Sequence, residues 1–372
     1  MAGTVIEYLQ KYGDISFREK PLNDVDSLAL CQLSYLKFDG MVSDVRHNGP
    51  SVTLREIAER PDVDKLFGDV RFEKENRALF EGMLSGRRFR DMKLNCYINL
   101  VEKEWETQFS AITFILDDGT LFLAFRGTDE TIIGWKEDFN MAFMPRVPAQ
   151  ADAAAYVNQI GAAFPGRLLL CGHSKGGNLA IYAAAMCAPE IQARIDAVYA
   201  HDSPGFSRAV LESAGYRRIQ PRIRKTIPQS SLIGMLLESH DQYTVVESRQ
   251  SGIMQHDPFS WVIEDGAFRT LEKITAGAEF MNDTLDDWIT GMSIAERERF
   301  VDALYDILSA GGITSIFDFG GNLPQRLSTM RSAAAGLDPK TREFLFQIVT
   351  RLAGYAVKNL AKFPKPSGLI QP

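Results

Sequence analysis

Cysteine is scarce in this sequence, and its spacing argues against both disulfide and metal chemistry. The 372 residues contain four cysteines, namely Cys31, Cys96, Cys171 and Cys187. They lie far apart, none forms a C-x-x-C pair and their neighbours are mostly apolar, so we expect buried free thiols. Because no Cys/His cluster and no H-E-x-x-H sequence is present either, no metal site is predicted.

An excess of basic charge is also missing. Lysine and arginine number 41 against 48 aspartates and glutamates, which gives a formal net charge of -7. Proteins that bind nucleic acid neutralise its phosphates with clustered Lys and Arg, so nucleic acid is not expected as a partner. No G-x-x-x-x-G-K-S/T loop is present to bind a nucleotide phosphate.

Long apolar runs are absent as well. No stretch of about 18 uncharged apolar residues occurs, so no membrane-spanning helix is predicted, although peripheral contact with a membrane stays open. The first residues, MAGTVIEYLQKYGD, lack the basic and apolar regions of a secretory signal, and we therefore expect a cytoplasmic protein. The hydrophobic fraction of 45% and the charged fraction of 24% are those of a globular protein.

What is present divides the chain into three regions. Residues 1–90 are charged and irregular with one helical segment at 24–38, and we expect them to pack on the core. Residues 91–269 alternate apolar runs of strand length with helical stretches, which is typical of an α/β fold with a mostly parallel central sheet covered by helices. Residues 270–372 are predicted to form a helical C-terminal extension.

Two details of this organisation can be predicted from local patterns. The strands QFSAITFIL and TLFLAFRGT are joined by Asp117-Asp118-Gly119, which predicts an antiparallel entry hairpin. In the last predicted helix, apolar residues recur at helical spacing, and core packing of this face is favoured over contact with a partner or a lipid surface. The face consists of Phe344, Leu345, Ile348, Val349, Leu352, Tyr355, Ala356 and Leu360.

Ser174 lies in the most informative stretch of the chain, RLLLCGHSKGGNLAIYAA. An apolar strand precedes it, a helix-forming run follows it, and Gly172 and Gly176 flank it. This pattern is typical of the nucleophile elbow of the α/β-hydrolase fold, whose tight turn leaves no room for a Cβ. Ser174 is therefore predicted to be a nucleophile, and the backbone N–H of Lys175 an oxyanion donor. The side chains of His173 and Lys175 are expected to pack or to lie at the rim. The alternative is a glycine-rich connection with an incidental serine.

Two motifs in the correct order resemble the class 3 (fungal-type) lipases. LFLAFRGTDETIIGWKEDF resembles that family's F-R-G-T or F-R-G-S strand end with a later Trp and Asp, and GHSKGG resembles its G-H-S-x-G-G elbow. The resemblance covers about residues 92–262, and a closer one is to a bacterial group of lipase-like proteins with a GHSKGGNLA elbow. It implies that Thr128 is the second oxyanion donor and that Arg126, Trp135 and Asp138 are structural. An ion pair between Arg126 and Asp138 is a further hypothesis.

Five histidines are candidates for the general base. In an α/β-hydrolase the base follows the nucleophile and the acid along the chain, which removes His47 and leaves His201, His240 and His256 beyond the elbow. We prefer His256, because QHDPFSW follows the last predicted core strand and corresponds to the catalytic histidine of the class 3 pattern. His240 is the reserve candidate.

The acid is the point at which this sequence departs from the class 3 pattern. The stretch at its usual position, KTIPQSSLIGMLL, has no carboxylate and only Ser230 and Ser231. Asp202 ends the strand DAVYAHD, would lie at the carboxyl edge one strand beyond the elbow, and matches a position that other lipases of the broader fold use. We prefer Asp202 as the acid. Asp241 in a later polar loop is the alternative, and a dyad without an acid stays open.

These residues predict a serine hydrolase that cleaves carboxylic esters of small molecules or lipids through an acyl-enzyme on Ser174. The chemistry requires no cofactor. A non-catalytic binding or scaffold protein that retains the fold is the alternative from a different class, and a thioesterase or peptidase would use the same three groups. The residues do not predict the acyl length, the head group or the oligomeric state.

Overall fold

The computed structural model describes residues 2–47, 49–102, 107–128, 141, 146–237, 241–310, 328, 331–332 and 334–360. In this part of the chain a nine-stranded sheet lies between layers of helices. Its helices are α1 (Val5–Tyr12), α2 (Asp24–Leu33), α3 (Leu54–Ala58), α4 (Glu73–Ser85), α5 (Pro148–Ala163), α6 (Lys175–Met186), α7 (Pro189–Gln192), α8 (Arg208–Leu211), α9 (Ala214–Ile219), α10 (Ala276–Thr290), α11 (Ile294–Ala310) and α12 (Pro339–Leu360).

The sheet is mixed, with its parallel strands in the middle. Its strands are β1 (Val52–Thr53), β2 (Lys93–Glu102), β3 (Thr107–Ile115), β4 (Leu121–Phe125), β5 (Leu168–His173), β6 (Ile195–His201), β7 (Ile223–Pro228) and β8 (Tyr243–Val246), with β11 (Thr270–Leu271) at the far edge. A separate two-stranded ribbon consists of β9 (Ile263–Glu264) and β10 (Ala267–Phe268). Strands β4 to β8 pair in parallel, whereas β1 to β4 and the β8/β11 pair are antiparallel.

Alternate residues of the central strands face two different hydrophobic cores. On β5, Leu169 and Cys171 pack with α1, α2 and α4 in one cluster, whereas Leu168 and Leu170 pack with α5 and α6 in the other. Successive side chains of a strand point to opposite faces, so a strand buried on both faces is apolar throughout. This is why RLLLC has no polar alternation. The strand β5 is packed between the two clusters.

The antiparallel entry hairpin is confirmed. Strands β3 and β4 pair antiparallel from Ala111 opposite Phe125 to Ile115 opposite Leu121, and Gly119 takes a φ of 82° in the connecting turn. A positive φ favours glycine because glycine has no Cβ to clash with the backbone. The alternation of helices and strands after the hairpin likewise forms the parallel part of the sheet.

The N-terminal region contains more helix than the sequence indicates. Residues 1–90 were expected to carry one helical segment, but their described part contains α1, α2, α3 and α4, and α2 ends at Leu33. The additional helices are short or highly charged. They are completed by packing: a Cβ added at Gly82 of α4 would come within 3.3 Å of the Leu9 side chain of α1. Such close approach between helices is a tertiary effect.

The expected single apolar face of α12 is divided in the structure. Ile348 is buried against Trp288 of α10, whose indole Nε1 donates to the Ile348 carbonyl at 2.9 Å. Val349 and Leu360, which were expected on the same core-facing stripe, are 56% and 64% exposed. The neighbouring helices α10 and α11 do not cover the whole stripe, so its edge stays at the surface. Of the helices in the described ranges, none has the length and apolar character needed to cross a membrane.

Candidate active site

The candidate residues lie after neighbouring strands of the parallel sheet. Thr128 follows β4, Ser174 follows β5, Asp202 follows β6 and Ser231 follows β7. Because the carboxyl ends of parallel strands meet at one edge of a sheet, residues distant in sequence come together there. The register between β5 and β6 places Ser174 beside Asp202: the N–H of Ser174 donates to the carbonyl of His201, the residue before Asp202, at 2.9 Å.

Ser174 occupies a strained backbone conformation between β5 and α6. Its φ is 58° and its ψ is -134°, a combination that costs of order 1–3 kcal/mol for a residue with a side chain. The flanking glycines are required by backbone contact: a Cβ on Gly172 would lie 2.0 Å from the carbonyl carbon of Gly176, and one on Gly176 would lie 2.1 Å from the carbonyl oxygen of Phe125. Strand, strained serine and helix therefore form a tight turn with no room for a Cβ at either flanking glycine.

The two backbone segments that contain the predicted oxyanion donors lie beside Ser174. Lys175 is the first residue of α6, so its N–H belongs to the positive end of the helix dipole. Gly127 leads into the half-buried Thr128, and a Cβ added at Gly127 would come within 3.3 Å of the Ser174 Cβ. The Lys175 side chain itself is buried and its Nζ donates to the Gln108 carbonyl at 3.0 Å, so it packs rather than lying at the rim.

His256 and Asp202 are in direct contact. Nδ1 of His256 lies 2.6 Å from Oδ2 of Asp202, and the two side chains are 12% and 1% exposed. His256 ends a short 3-10 helix, and the indole Nε1 of Trp261 donates to the carbonyl of the preceding residue, Gln255, at 2.8 Å. The histidine is thus held through its ring and through the loop that carries it, with little exposure to water.

The second oxygen of Asp202 is also hydrogen-bonded. The hydroxyl of Ser231 and the backbone N–H of Gly234, the latter at 3.0 Å, both donate to Oδ1. Both donors belong to the stretch that has no carboxylate at the class 3 position. The sequence analysis does not predict this contribution, because a serine at the usual position of the acid indicates only that the carboxylate is missing. The S-x-x-G spacing after β7 is the signal that could have indicated it.

A buried lysine lies near both candidate acids. Lys225 of β7 is 3% exposed, and burial lowers its pKa while the carboxylates of Asp241 and Asp202 raise it. Asp241 accepts a hydrogen bond from the Tyr216 hydroxyl at 2.6 Å. The structure therefore places Asp241 beside Tyr216 and Lys225, and Asp202 beside the imidazole of His256. His240 lies outside the described residues.

Two further histidines are buried next to this site. Burial and the rings of His256 and His201 lower the pKa of His173 well below its ordinary value. Burial alone lowers the pKa of His201 to about 3, and its Nε2 lies 2.8 Å from the hydroxyl of Ser27 on α2. Both rings are therefore neutral at ordinary pH, because a charged imidazole is disfavoured where water is excluded.

The remaining predictions concern the oxyanion loop and metal binding. Nη2 of the buried Arg126 donates to Oδ1 of Asn99 at 2.8 Å. Trp135 and Asp138 lie outside the described residues, so the hypothesis of an ion pair between Arg126 and Asp138 stays a prediction. Over the described ranges, no group of three or more His, Cys, Asp and Glu side chains could hold a metal ion.

Fold and site together define an α/β protein with a serine, a carboxylate and a histidine at the carboxyl edge of one sheet. The chain belongs to the Mbeg1-like family, whose model matches residues 83–306. None of the curated proteins compared with the sequence matches it.

Three solved structures of lipases are similar to parts of the chain. The native propeptide complex of Rhizomucor miehei lipase is 16% identical, with a TM-score of 0.32, over 46% of this chain and 66% of that one. This chain therefore spans slightly less than two thirds of that lipase chain. A deletion mutant of the same complex is 15% identical, with a TM-score of 0.35, over 52% of this chain and 70% of that one. M37 lipase is 12% identical, with a TM-score of 0.38, over 58% of this chain and 70% of that one.

Proposed function

We propose that this protein is a serine hydrolase of the α/β-hydrolase fold that cleaves carboxylic esters through an acyl-enzyme on Ser174. The observation that carries the proposal is the contact of 2.6 Å between His256 Nδ1 and Asp202 Oδ2, in a chain whose strained serine precedes both residues. Nucleophile, acid and base then follow in the order of an α/β-hydrolase.

The proposed reaction begins with attack of the Ser174 hydroxyl on the ester carbonyl. Because Nδ1 of His256 contacts Asp202, Nε2 is the ring nitrogen that takes the serine proton, and it then delivers the proton to the leaving alkoxide. Asp202 holds the tautomer and stabilises the imidazolium. A water molecule, deprotonated by the same Nε2, attacks the acyl-enzyme and releases the carboxylic acid and free serine.

The negative charge of each tetrahedral intermediate needs hydrogen-bond donors. The N–H of Lys175, at the start of α6, and Thr128, through its N–H and its hydroxyl, are the proposed donors. Support comes from the approach of Gly127 to Ser174, which brings the segment after β4 to the nucleophile. Donors of this kind contribute about 10²- to 10³-fold each in rate.

The alternative of a non-catalytic scaffold rested on the missing carboxylate after β7. Asp202, one strand nearer the elbow, supplies a carboxylate to His256, which removes the reason to prefer the scaffold. Thioester and peptide substrates use the same three groups, so the substrate class has to be found by experiment.

The test is covalent labelling with a fluorophosphonate probe, in parallel for the wild type and Ser174→Ala. We expect labelling of the wild type alone, followed by hydrolysis of p-nitrophenyl esters in a series of increasing acyl length. A matching series of thioesters and peptide anilides assigns the substrate class. If the folded wild type shows no labelling that depends on Ser174, the protein is a scaffold and the hydrolase proposal is wrong.

A further inference from the structure

Tyr35 lies between Gly127, in the segment after β4, and His173, the residue before Ser174. Its hydroxyl is 3.2 Å from Nδ1 of His173, the last residue of β5. The backbone of Gly127 approaches the same hydroxyl so closely that a Cβ added at Gly127 would lie 2.3 Å from it. One side chain from the N-terminal region thus contacts the segments at the ends of both β4 and β5.

His173 in turn contacts His256. Its Nε2 lies 3.0 Å from the backbone carbonyl oxygen of His256, and the two rings lie 4.5 Å apart between centroids with a tilt of 32°. Asp202 contacts the same histidine at ring Nδ1. The proposed base is therefore held at its ring by one residue and at its backbone by another.

The chemistry of the partners determines the direction of each hydrogen bond. A carbonyl oxygen only accepts, so Nε2 of His173 carries the hydrogen that is donated to His256. The lowered pKa of His173 makes its ring neutral, so Nδ1 accepts. Burial raises the pKa of Tyr35, so its hydroxyl keeps its hydrogen and donates it to Nδ1. The same hydroxyl is 3.5 Å from the His173 carbonyl, which is the weaker contact.

We infer that Tyr35 and His173 are positioning residues for the Ser174 reaction, an inference that rests on the proposed function. The directed chain runs from the Tyr35 hydroxyl, which lies against Gly127, through His173 to the His256 carbonyl. It links the proposed base to the side chain that packs on the segment after β4, so His256 does not shift without straining a part-buried hydrogen bond. The neutral ring of His173 also places no positive charge beside the imidazolium that His256 becomes during the reaction.

The first test removes only the hydroxyl, in Tyr35→Phe. We expect the rate constant of fluorophosphonate labelling and the kcat for an ester to fall about 2- to 10-fold, with KM unchanged, because one net hydrogen bond is lost. Tyr156→Phe is the matched control. The Tyr156 hydroxyl is also buried, donating to the Cys96 carbonyl at 2.8 Å and contacting Thr113 Oγ1 at 2.7 Å, but in the core between α5 and the sheet. We expect this control to lower the Tm and keep kcat.

The second test compares His173→Gln with His173→Leu. The glutamine amide can still donate to the His256 carbonyl, so its kcat should stay within about 3-fold of the wild type. Leucine leaves that carbonyl without the donor and should lower kcat about 5- to 100-fold. Measured Tm values separate these effects from simple destabilisation.

The outcomes distinguish this inference from the proposed function. Labelling of the wild type at Ser174 with unchanged kcat in Tyr35→Phe, or with glutamine and leucine equally impaired at position 173, would show that these residues only pack. Absence of Ser174-dependent labelling in the wild type would overturn the proposed function and this inference together.

Discussion

Ser231 donates its hydroxyl hydrogen to Oδ1 of Asp202, whose other carboxylate oxygen contacts the ring of His256 at 2.6 Å. The loop after β7 thus supplies a hydrogen-bond donor to a carboxylate that follows β6. In the class 3 pattern that resembles this sequence, the loop after β7 corresponds to the acid itself. Residues after both strands, Asp202 after β6 and Ser231 after β7, therefore place a buried carboxylate next to the ring of His256.

Asp202→Asn should abolish most of the proposed activity without unfolding the protein. An amide in place of Oδ2 favours the wrong tautomer of His256, and kcat should fall by about 10³- to 10⁴-fold. The measurement is steady-state ester hydrolysis, with the Tm as a check on folding. Asp241→Asn, at the carboxylate that binds the Tyr216 hydroxyl, is the comparison and should retain activity. The reverse result would assign the acid to Asp241.

Ser231→Ala tests the support of the acid. The carboxylate keeps the Gly234 N–H at 3.0 Å but loses the hydroxyl, so kcat should fall by about 10-fold, the equivalent of one charge-assisted hydrogen bond. Ser230→Ala is the matched control, because the neighbouring hydroxyl contacts Thr275 Oγ1 at 3.0 Å instead of the acid. Equal rates in the two variants would mean that the Ser231 contact does not influence catalysis.

Gly172→Ala should destabilise the turn around Ser174, because the new Cβ would clash with backbone atoms. The added methyl group would meet the carbonyl carbon of Gly176 at 2.0 Å, where no side chain can move aside, and we expect a loss of about 3 kcal/mol in the free energy of unfolding. Gly277→Ala, in the first turn of α10 with no atom within 4 Å of the new Cβ, is the control. It should be neutral or stabilising by up to about 1 kcal/mol. Urea denaturation compares the two, and a stable Gly172→Ala protein would contradict the tight turn.

The buried histidines should make stability depend on pH below neutrality. His201 has its pKa lowered to about 3 in the fold, so the folded state binds fewer protons than the unfolded chain once the pH falls below about 6.5. Its stabilising contribution is complete above that pH and is lost progressively toward pH 3. Between pH 7 and 5.5 this one group should lower the free energy of unfolding by about 1 kcal/mol. His173, whose pKa is also lowered, acts in the same direction.

Urea denaturation at several pH values between 7 and 5.5 measures this effect. His201→Gln removes one titrating group and should flatten the slope of stability against pH, whatever its effect on absolute stability. His47→Gln, which removes a histidine whose side chain is 80% exposed, is the control substitution. An unchanged slope in His201→Gln would show that this ring binds protons equally in the folded and unfolded states, which contradicts a lowered pKa.

Local elements of the fold are largely predictable from the sequence. The hairpin of β3 and β4 follows from a turn sequence between two strand patterns, and the turn around Ser174 follows from the order of apolar run, glycines and alanine-rich helix. The helices α1 and α4 are missed, because α1 is short and α4 is highly charged, and both become stable by packing on neighbouring helices. The division of the α12 stripe also depends on tertiary packing. Val349 is exposed because no neighbour covers it among the described residues.

The sequence by itself determined the turn around Ser174. Its apolar strand, its glycines and its helix lie within one continuous stretch, and a Cβ on Gly172 would meet the backbone of Gly176 in the same turn. Only the tertiary structure decided which carboxylate meets His256. Asp202, Ser231 and His256 come from the ends of β6 and β7 and from the loop after β8, and they meet because parallel strands align their carboxyl ends at one edge. The register between strands depends on packing across the whole sheet, which no local stretch of sequence contains.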